Sequence, residues 1–563
     1  MFTKSTQSVA IRVLAVVPIL AAGCASPFAS SEADYGMRIA PEQLRQIESM
    51  DMGRYEKTGG KSDDPIAHAR NRFEGLESVE LTLEECRAAV LENNLDLKVA
   101  LVNPTIANQS VSAEEARFEA AFTTRALWQQ TDSPTASSLI DAQAEFGLIS
   151  PGVRIPLRTG GTATISLPIT RNETNNVFST LNPSYTSDLE LALSHELLRG
   201  AGRRTNTHAI RIAGYNEQIA SAQTKLEAIR QVAAADRAYW RLFQARRELE
   251  VRQRELELAQ AQLERARRQV DVGKVAQIEA IRSEAGVAQR LEAIVIAQNE
   301  LLRAQRALKR VINIPGLDID TDTIIILATD PDPVQYEYVA GELADAAVAQ
   351  RMEMLELELR LAADASTIDF NKNQALPLLT MDYTYRVNGL GGSTSSTFRS
   401  TRDNRFEDWS VGLTAQVPIG NEAARSRVRG AILGRLARLS TKEARRQAIR
   451  QEVYDAADAI DAGWQRILAV RQSEILSRRT FEAEQRQFDV GISTSTDVLD
   501  AAARLAEAES SVIRAITDYQ TAQVDLAFAT GTLLGASRIR WEPVDAPEVG
   551  RYGDVGTIFG DGE

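Results

Sequence analysis

Two aspartates stand three residues apart in the stretch GISTSTDVLDAAARL, residues 491–505. On a helix Asp497 and Asp500 would share one face, since residues at i and i+3 are neighbours. Carboxylates that close raise one another's pKa and attract cations. The plainer reading is that Asp497 caps a helix start and complements its dipole. Other residues able to do chemistry are scattered. His68, His195 and His208 form no HExxH motif and no Cys/His cluster. His195 and Glu196 fit an oligomer or membrane-boundary surface better than a reactive site. Gly59–Ser62 reads GGKS, but Tyr55 stands where a phosphate loop needs its first glycine. The expectation is therefore a protein that is not an enzyme and has no cofactor or metal.

The elements that position the aspartates emerge from a repeat. VDVGKVAQIEAI (270–281) is echoed by FDVGISTSTDVL (488–499), which places Gly273 and Gly491 at an offset of 218 (491 − 273). Leu242, Leu249, Leu256, Leu263 and Val270 recur every seven residues. Their counterparts 218 further on are Ile460, Ile467, Glu474, Phe481 and Phe488, four of them apolar. Beyond the glycines, Ile281 and Val295 map to Leu499 and Ile513. A glycine and a heptad phase kept together over such a span identify two copies of one unit. Each copy reads as an upstream helix (82–117 and 341–374), a β-rich stretch, a long helix, a glycine turn and a second long helix. The first long helix, about 205 to 271, would be on the order of 100 Å long. A strict seven-residue apolar step implies left-handed coiled-coil packing, and helix–turn–helix makes an antiparallel hairpin with the glycines at the tips.

The β-rich stretches alternate. In 379–387, Leu379, Met381, Tyr383, Tyr385 and Val387 alternate with polar residues. In 409–417, Trp409, Val411, Leu413, Ala415 and Val417 do the same. The segment between them is polar and loop-like. In copy one, GTATISLPIT alternates at Ala163, Ile165, Leu167 and Ile169, and LELALS at Leu189, Leu191 and Leu193. Residues 118–128 add a possible strand, and the division of copy one stays open. Such strands suit either a half-buried soluble sheet or a membrane barrel, whose strands span with about nine to eleven residues. A barrel in lipid must close, because lipid cannot hydrogen-bond a sheet edge. About four strands per chain are too few, since roughly eight make the smallest filled barrel. The membrane reading thus demands several chains.

Composition agrees with an exported, helix-rich protein. Asp and Glu outnumber Lys and Arg, 77 to 64, and the pI is about 5.1, which argues against nucleic-acid binding. Residues 1–24 read as an export signal with Lys4, Arg12 and the apolar core Val13–Leu20, too short to span a membrane. The ending AAGC resembles a lipobox with Cys24 as the lipidated residue, although Ala21 stands where leucine is usual. Plain signal cleavage is the alternative. Ala25, not Asp, follows. Cys86 sits among apolar positions and reads as a buried small hydrophobe.

The motifs resemble those of the TolC-like outer membrane efflux proteins, the outer membrane factors. The matching stretches are LTLEECRAAVLENNLDLK (81–98), HELLRGAG (195–202), the two tips, ALPLLTMDYTY (375–385) and QVPIGNEAARSRVR (416–429). Where such proteins usually show proline before the LLRG element, Glu196 stands here, and Cys86 replaces a usual small residue. The resemblance implies a mainly α fold with a small β part: two tandem repeats forming a periplasmic α-barrel and the strands of a shared, twelve-stranded transmembrane β-barrel in a homotrimer. It implies an outer membrane channel, a passive exit duct for efflux that docks on a periplasmic adaptor protein and an inner-membrane transporter. The same duct serving type I protein secretion is the alternative within the class, and a structural coiled-coil tether the alternative outside it. Carried over by motif, Asp497 and Asp500 would ring the pore constriction. Copy one places Glu279 and Arg282 there, so only Asp500 lacks a helix-start explanation common to both copies. The adaptor-docking tips would be Val272, Gly273, Lys274, Val275, Val490, Gly491, Ile492 and Ser493. The expected organisation is signal peptide 1–24, extension 25–80, first repeat 81–317, connector 318–340, second repeat 341–536 and a flexible tail 537–563, anchored by lipid to the outer membrane.

Overall fold

The computed structural model describes residues 75–136, 141–490 and 492–541, together with Ile66, Arg72 and Phe73. Cys24, the export segment, most of 25–80, Gly491 and the end of the tail lie outside the described residues.

Copy one begins with the short strand β1 (Ser78–Leu81) and then two helices, α1 (Leu83–Asn93) and α2 (Leu95–Ala116). The sequence pattern predicts a single helix over 82–117. The break is Asn94, whose extended backbone ends one helix while its side chain accepts from the Leu97 N–H to start the next. Thr82 and Glu85 form a capping box ahead of α1. Strands β2 (Ala121–Asp132), β3 (Gln143–Pro156), β4 (Gly161–Ser166), β5 (Ile169–Thr174), β6 (Ser184–Ser187) and β7 (Leu189–Glu196) follow. After the one-turn helix α3 (Arg203–Asn206) come the long hairpin helices α4 (His208–Asp271) and α5 (Gln277–Ile312).

Strand β8 (Ile324–Leu327) pairs in parallel with β1 and leads into copy two. Here the upstream helix is again broken, into α6 (Ala340–Gln350) and α7 (Met352–Gln374), at Arg351. Strand β9 (Leu378–Val387), a short β10 (Leu390–Gly391), helix α8 (Thr394–Arg402) and β11 (Glu407–Gln416) complete the β part. The expected loop between the two clear strands thus contains a helix, started by a Ser393/Ser396 capping box. The hairpin α9 (Glu422–Asp489) and α10 (Ser495–Ala529) and the short α11 (Leu533–Ala536) end the described fold.

Element boundaries confirm the repeat. The same offset of 218 relates the ends of α4 and α9, the starts of α5 and α10, and the starts of β7 and β11. Side by side, α4 packs against α5, against α10 and, nearer the sheet, against α2 and α7. Leu242, Leu249, Leu256 and Leu263 are buried, as are Ile460, Ile467 and Phe488. The apolar phase therefore marks the seams between helices. Ile281 and Val295 instead are about half exposed within one chain. One core gathers between the arms of the second hairpin, Ile460 and Ile467 of α9 against Ala515 and Tyr519 of α10.

Candidate channel wall and entrance

The two hairpin tips are closed by the same backbone bond. Lys274 N–H donates to Gln269 O and Ile492 N–H to Gln487 O, both at 2.9 Å and at equivalent positions of the two repeats. Gly273 has φ of +71°, the left-handed region that favours glycine. Val272, Val490 and Ile492 point into solvent, each at least two-thirds exposed. Apolar side chains at a helix-hairpin tip have no internal partner, which suits a surface that another molecule covers.

Asp497 is the third residue of α10 and sits in a capping box. Its carboxylate accepts from the Thr494 N–H (2.9 Å) and hydroxyl (2.6 Å), and the Thr494 hydroxyl accepts in turn from the Asp497 N–H. The Thr494 side-chain bond, then the backbone bond, hold the Asp497 carboxyl below the usual carboxylate range. Asp500 is exposed one turn on and makes no side-chain hydrogen bond or ion pair among the described residues. In copy one Glu279 pairs with Arg282 at 2.8 Å, and the cap position, Ala276, offers no side chain.

Behind the tips the structure brings together residues that the sequence did not single out. Buried Ser495 of α10 meets Ser283 of α5 (2.9 Å) and Gln262 of α4 (3.1 Å). Arg290 of α5 pairs with Glu255 of α4 at 3.3 Å, both nearly buried, and donates to Leu499 O of α10. These contacts fasten the two hairpins to each other. Their partners lie in polar positions of unrelated stretches, so no spacing announces them. Cys86 is fully buried, and burial pushes its thiol up to about 12, where it is inert.

At the other end the strands form one antiparallel sheet. β4 and β5 keep one register against β3, and β7 and β6 keep one register against them, so each pair is a single strand position interrupted at Leu167–Pro168 or at Asp188. GTATISLPIT is thus part of a longer interrupted strand, and β3 is a strand that the alternation pattern does not announce. Across the sheet run six positions in chain order: β2, β3, β4/β5, β6/β7, β9 and β11. The sequence pattern predicts about four. The two faces separate cleanly. One cross-strand row reads Phe122, Val153, Ile165, Leu191, Tyr385, Trp409. The row beside it, on the opposite face, reads Ala121, Arg154, Thr164, Ala192, Thr384, Ser410. Arg386 and Glu190 pair at 3.1 Å on that polar face. Strands β2 and β11 are each paired on one side only, and every residue of both is exposed.

Residues 343–532 match the family described as outer membrane efflux protein. Over that span the chain is similar to the TolC-like outer membrane efflux proteins. It is 26% identical over 301 residues to the outer membrane protein TolC of Vibrio cholerae, covering 53% of this chain and 66% of that one. It is 25% identical over 263 residues to the pyoverdine export outer membrane protein OpmQ of Pseudomonas putida, covering 46% and 53%. The chain thus spans less than two thirds of the length of these curated relatives. The outer-membrane channel OprN shares the fold at 17% identity with a TM-score of 0.59, over 85% of this chain and 97% of that one. The Campylobacter jejuni CmeC outer membrane channel does so at 14% and 0.59, over 86% and 91%. Among the described residues no helix is long and apolar enough to cross a membrane, and no group of side chains could hold a metal ion.

Proposed function

We propose that this chain is the outer membrane exit duct of a tripartite efflux system, built from three copies. The observation that carries the reading is the sheet: an apolar outer face, a polar inner face and two fully exposed edges. An open edge cannot persist in lipid, where unpaired backbone groups find no partner. Strand directions alternate along the six positions, so β11 of one copy meets β2 of the next antiparallel, and the sheet closes only between copies. The helical wall has open sides of the same kind. Ile281 and Val295 of α5, and Leu433 and Leu436 of α9, are about half exposed or more and would be covered by neighbouring copies.

The tips would dock a periplasmic adaptor through Val272, Gly273, Lys274 and Val275 in copy one and Val490, Gly491, Ile492 and Ser493 in copy two, with an inner-membrane transporter supplying the energy. Asp500 would line the entrance, and Asp497 beside it has a capping task as well. Cys24 would carry the lipid anchor. Three copies place three Asp500 carboxylates about one axis, and a ring of acids selects and binds cations.

Planar-bilayer recording tests the reading. Purified protein should give discrete conductance steps, block by divalent cations on the entrance side, and relief of that block in Asp500→Ala. A preparation that sediments as a trimer yet opens no pore, in either the native or the Asp497→Ala/Asp500→Ala form, would overturn the duct and favour a coiled-coil tether.

A further inference from the structure

The two repeats keep two different offsets. Downstream, from β7 and β11 to the second hairpin helices, the offset is 218. Upstream it is 257: α1 and α6 begin 257 apart, the helix breaks Asn94 and Arg351 are 257 apart, and β2 and β9 begin 257 apart. Copy one is therefore longer by 39 (257 − 218) between the starts of β2 and β7 than copy two is between the starts of β9 and β11. In copy two, residues 388–406 join β9 to β11. In copy one, residues 133–188 join β2 to β7, and within them lies the hairpin of β3 and β4/β5.

We propose that this inserted hairpin is part of the barrel wall. Each copy then contributes six strands, and three copies close a barrel of eighteen in place of the twelve that the family resemblance implies. The inference rests on the three-copy membrane reading above.

Three observations support it. First, the insertion sits between β2 and β7 in the sheet and pairs with both, along the whole length of β2. Second, it shares the two-faced pattern, since Val153 and Ile165 occupy the middle of the apolar row while Arg154 and Thr164 lie on the polar face. Two added strands also preserve the alternation of direction, so the barrel remains antiparallel and even-numbered. Third, its turn at Leu157–Gly160 is built into the junction where β7 leads to α4. Thr159 O accepts from the Gly202 N–H (2.8 Å), the Thr159 hydroxyl meets His195 Nε2 (3.1 Å), and Gly160 O accepts from the Glu196 N–H (3.3 Å). A proline in place of Glu196 has no N–H to give. A Cβ at Gly160 would come within 2.5 Å of the Gly200 carbonyl oxygen, so the turn fits only with glycine there.

The four strands β2, β7, β9 and β11 lead to α2, α4, α7 and α9, β7 through the one-turn α3, while the inserted pair joins no helix. The barrel should therefore flare relative to the helical tunnel. Its diameter should be roughly 1.5 times that of a twelve-stranded barrel, because barrel width grows about linearly with strand number.

The test uses the full-length chain with Cys24→Ser, leaving the buried Cys86 in place, reconstituted in phosphatidylcholine vesicles. Single spin-labelled cysteines replace Ile149 and Ile165 of the inserted hairpin, Val411 and Tyr383 of the flanking strands, and inward-facing Thr164. Accessibility to oxygen and to a water-soluble nickel chelate is then compared, and chemical cross-linking counts the copies. The expected result is oxygen-favoured relaxation at all four outward positions, chelate-favoured relaxation at Thr164, and a ladder ending at three. Chelate access at Ile149 and Ile165 with oxygen access at Val411 and Tyr383 overturns the inserted wall and leaves the membrane reading intact. Chelate access at all four overturns both. A ladder ending at any other number overturns eighteen. Polymer exclusion gives a second readout: replacing residues 133–188 by the 388–406 sequence should lower the largest polyethylene glycol that enters from the strand side, and an unchanged cut-off in a folded variant counts against the proposal.

Discussion

The two repeats solve the same structural problem with different residues. Both break the upstream helix after 11 residues. Copy one breaks it at neutral Asn94, whose amide caps α2 and donates to Val311 O (2.9 Å). Copy two breaks it at Arg351, almost buried, which donates to Glu353 and Glu452, while Arg445 bridges the same two acids. Copy one keeps its buried charge elsewhere: Arg87 of α1 grips Asp236 of α4 through two bonds of 2.8 Å, and the aspartate is fully buried. A two-residue pair has no reserve, whereas a four-residue cluster does.

The largest effect should come from breaking the pair without reserve. Asp236→Ala leaves the largely buried Arg87 guanidinium without its carboxylate and should cost about 3–5 kcal/mol, the usual penalty for orphaning a buried charge. Chemical denaturation of the purified protein would measure it. Replacing both partners, Arg87→Met with Asp236→Leu, should restore most of the loss, because an apolar pair of similar volume avoids desolvation. By contrast Glu452→Gln in copy two should cost within about 1 kcal/mol, since Glu452 is partly exposed and Arg351 keeps Glu353. Equal losses in the two copies would break the comparison.

The helix break of copy one gives a smaller effect, through Asn94→Ala. It removes the cap of α2 and leaves the Val311 carbonyl without its donor, so about 1–2 kcal/mol is expected in the same denaturation experiment. Helix α2 also contains Pro104 and packs against α4, so the loss should appear as faster hydrogen exchange in α2 before α4.

The helical half of the fold was legible because heptads and tip glycines are local patterns that a seven-residue count detects. Leu249 and Ile467 mark their seams from sequence alone. The helix breaks were not read: Arg351 is a good helix former by propensity, so nothing local marks the break there, and Asn94, although a favoured cap residue, sits inside a stretch that reads as one continuous helix. The β half of copy one was only partly legible. In QAEFGLISPGVRIP the strand β3 contains Pro151 and Pro156 and two glycines, which read as turn signals. Pro168 likewise disguised a single interrupted strand as one short run. At the hairpin tips the contrast between Asp497 and Asp500 was legible by comparing the copies, but the Ser495, Arg290 and Glu255 contacts behind them needed the fold.

Glu196→Pro tests the junction that copy one alone possesses. The variant removes the N–H that reaches Gly160 O and should cost about 1–3 kcal/mol for the carbonyl left without a partner. Proteolysis near Leu157–Gly160 should rise while the tips keep native exchange rates. An unchanged cleavage pattern would mean that the Thr159 contacts hold the turn alone.

The smallest effect lies at the tips, and it depends on pH. Thr494 and Asp497 cap α10 reciprocally, whereas α5 starts at Ala276 without a side-chain cap. The folded carboxyl of Asp497 titrates below its unfolded value, so its contribution is fully present above the unfolded carboxylate pKa. It is lost as the pH falls through the lowered folded value, because protonation removes the charge that strengthens the bonds accepted from the Thr494 N–H and hydroxyl. At neutral pH the first-turn amides of α10 should therefore exchange more slowly than those of α5. After correction for intrinsic rates, the difference should shrink as acid is added past the ordinary carboxylate range. Thr494→Ala should remove about 1 kcal/mol of that protection at neutral pH, and Asp500→Ala should leave it unchanged. If Asp500→Ala also speeds exchange at the first turn, then Asp500 shares in the helix start, and the separation of a capping aspartate from the proposed entrance aspartate fails.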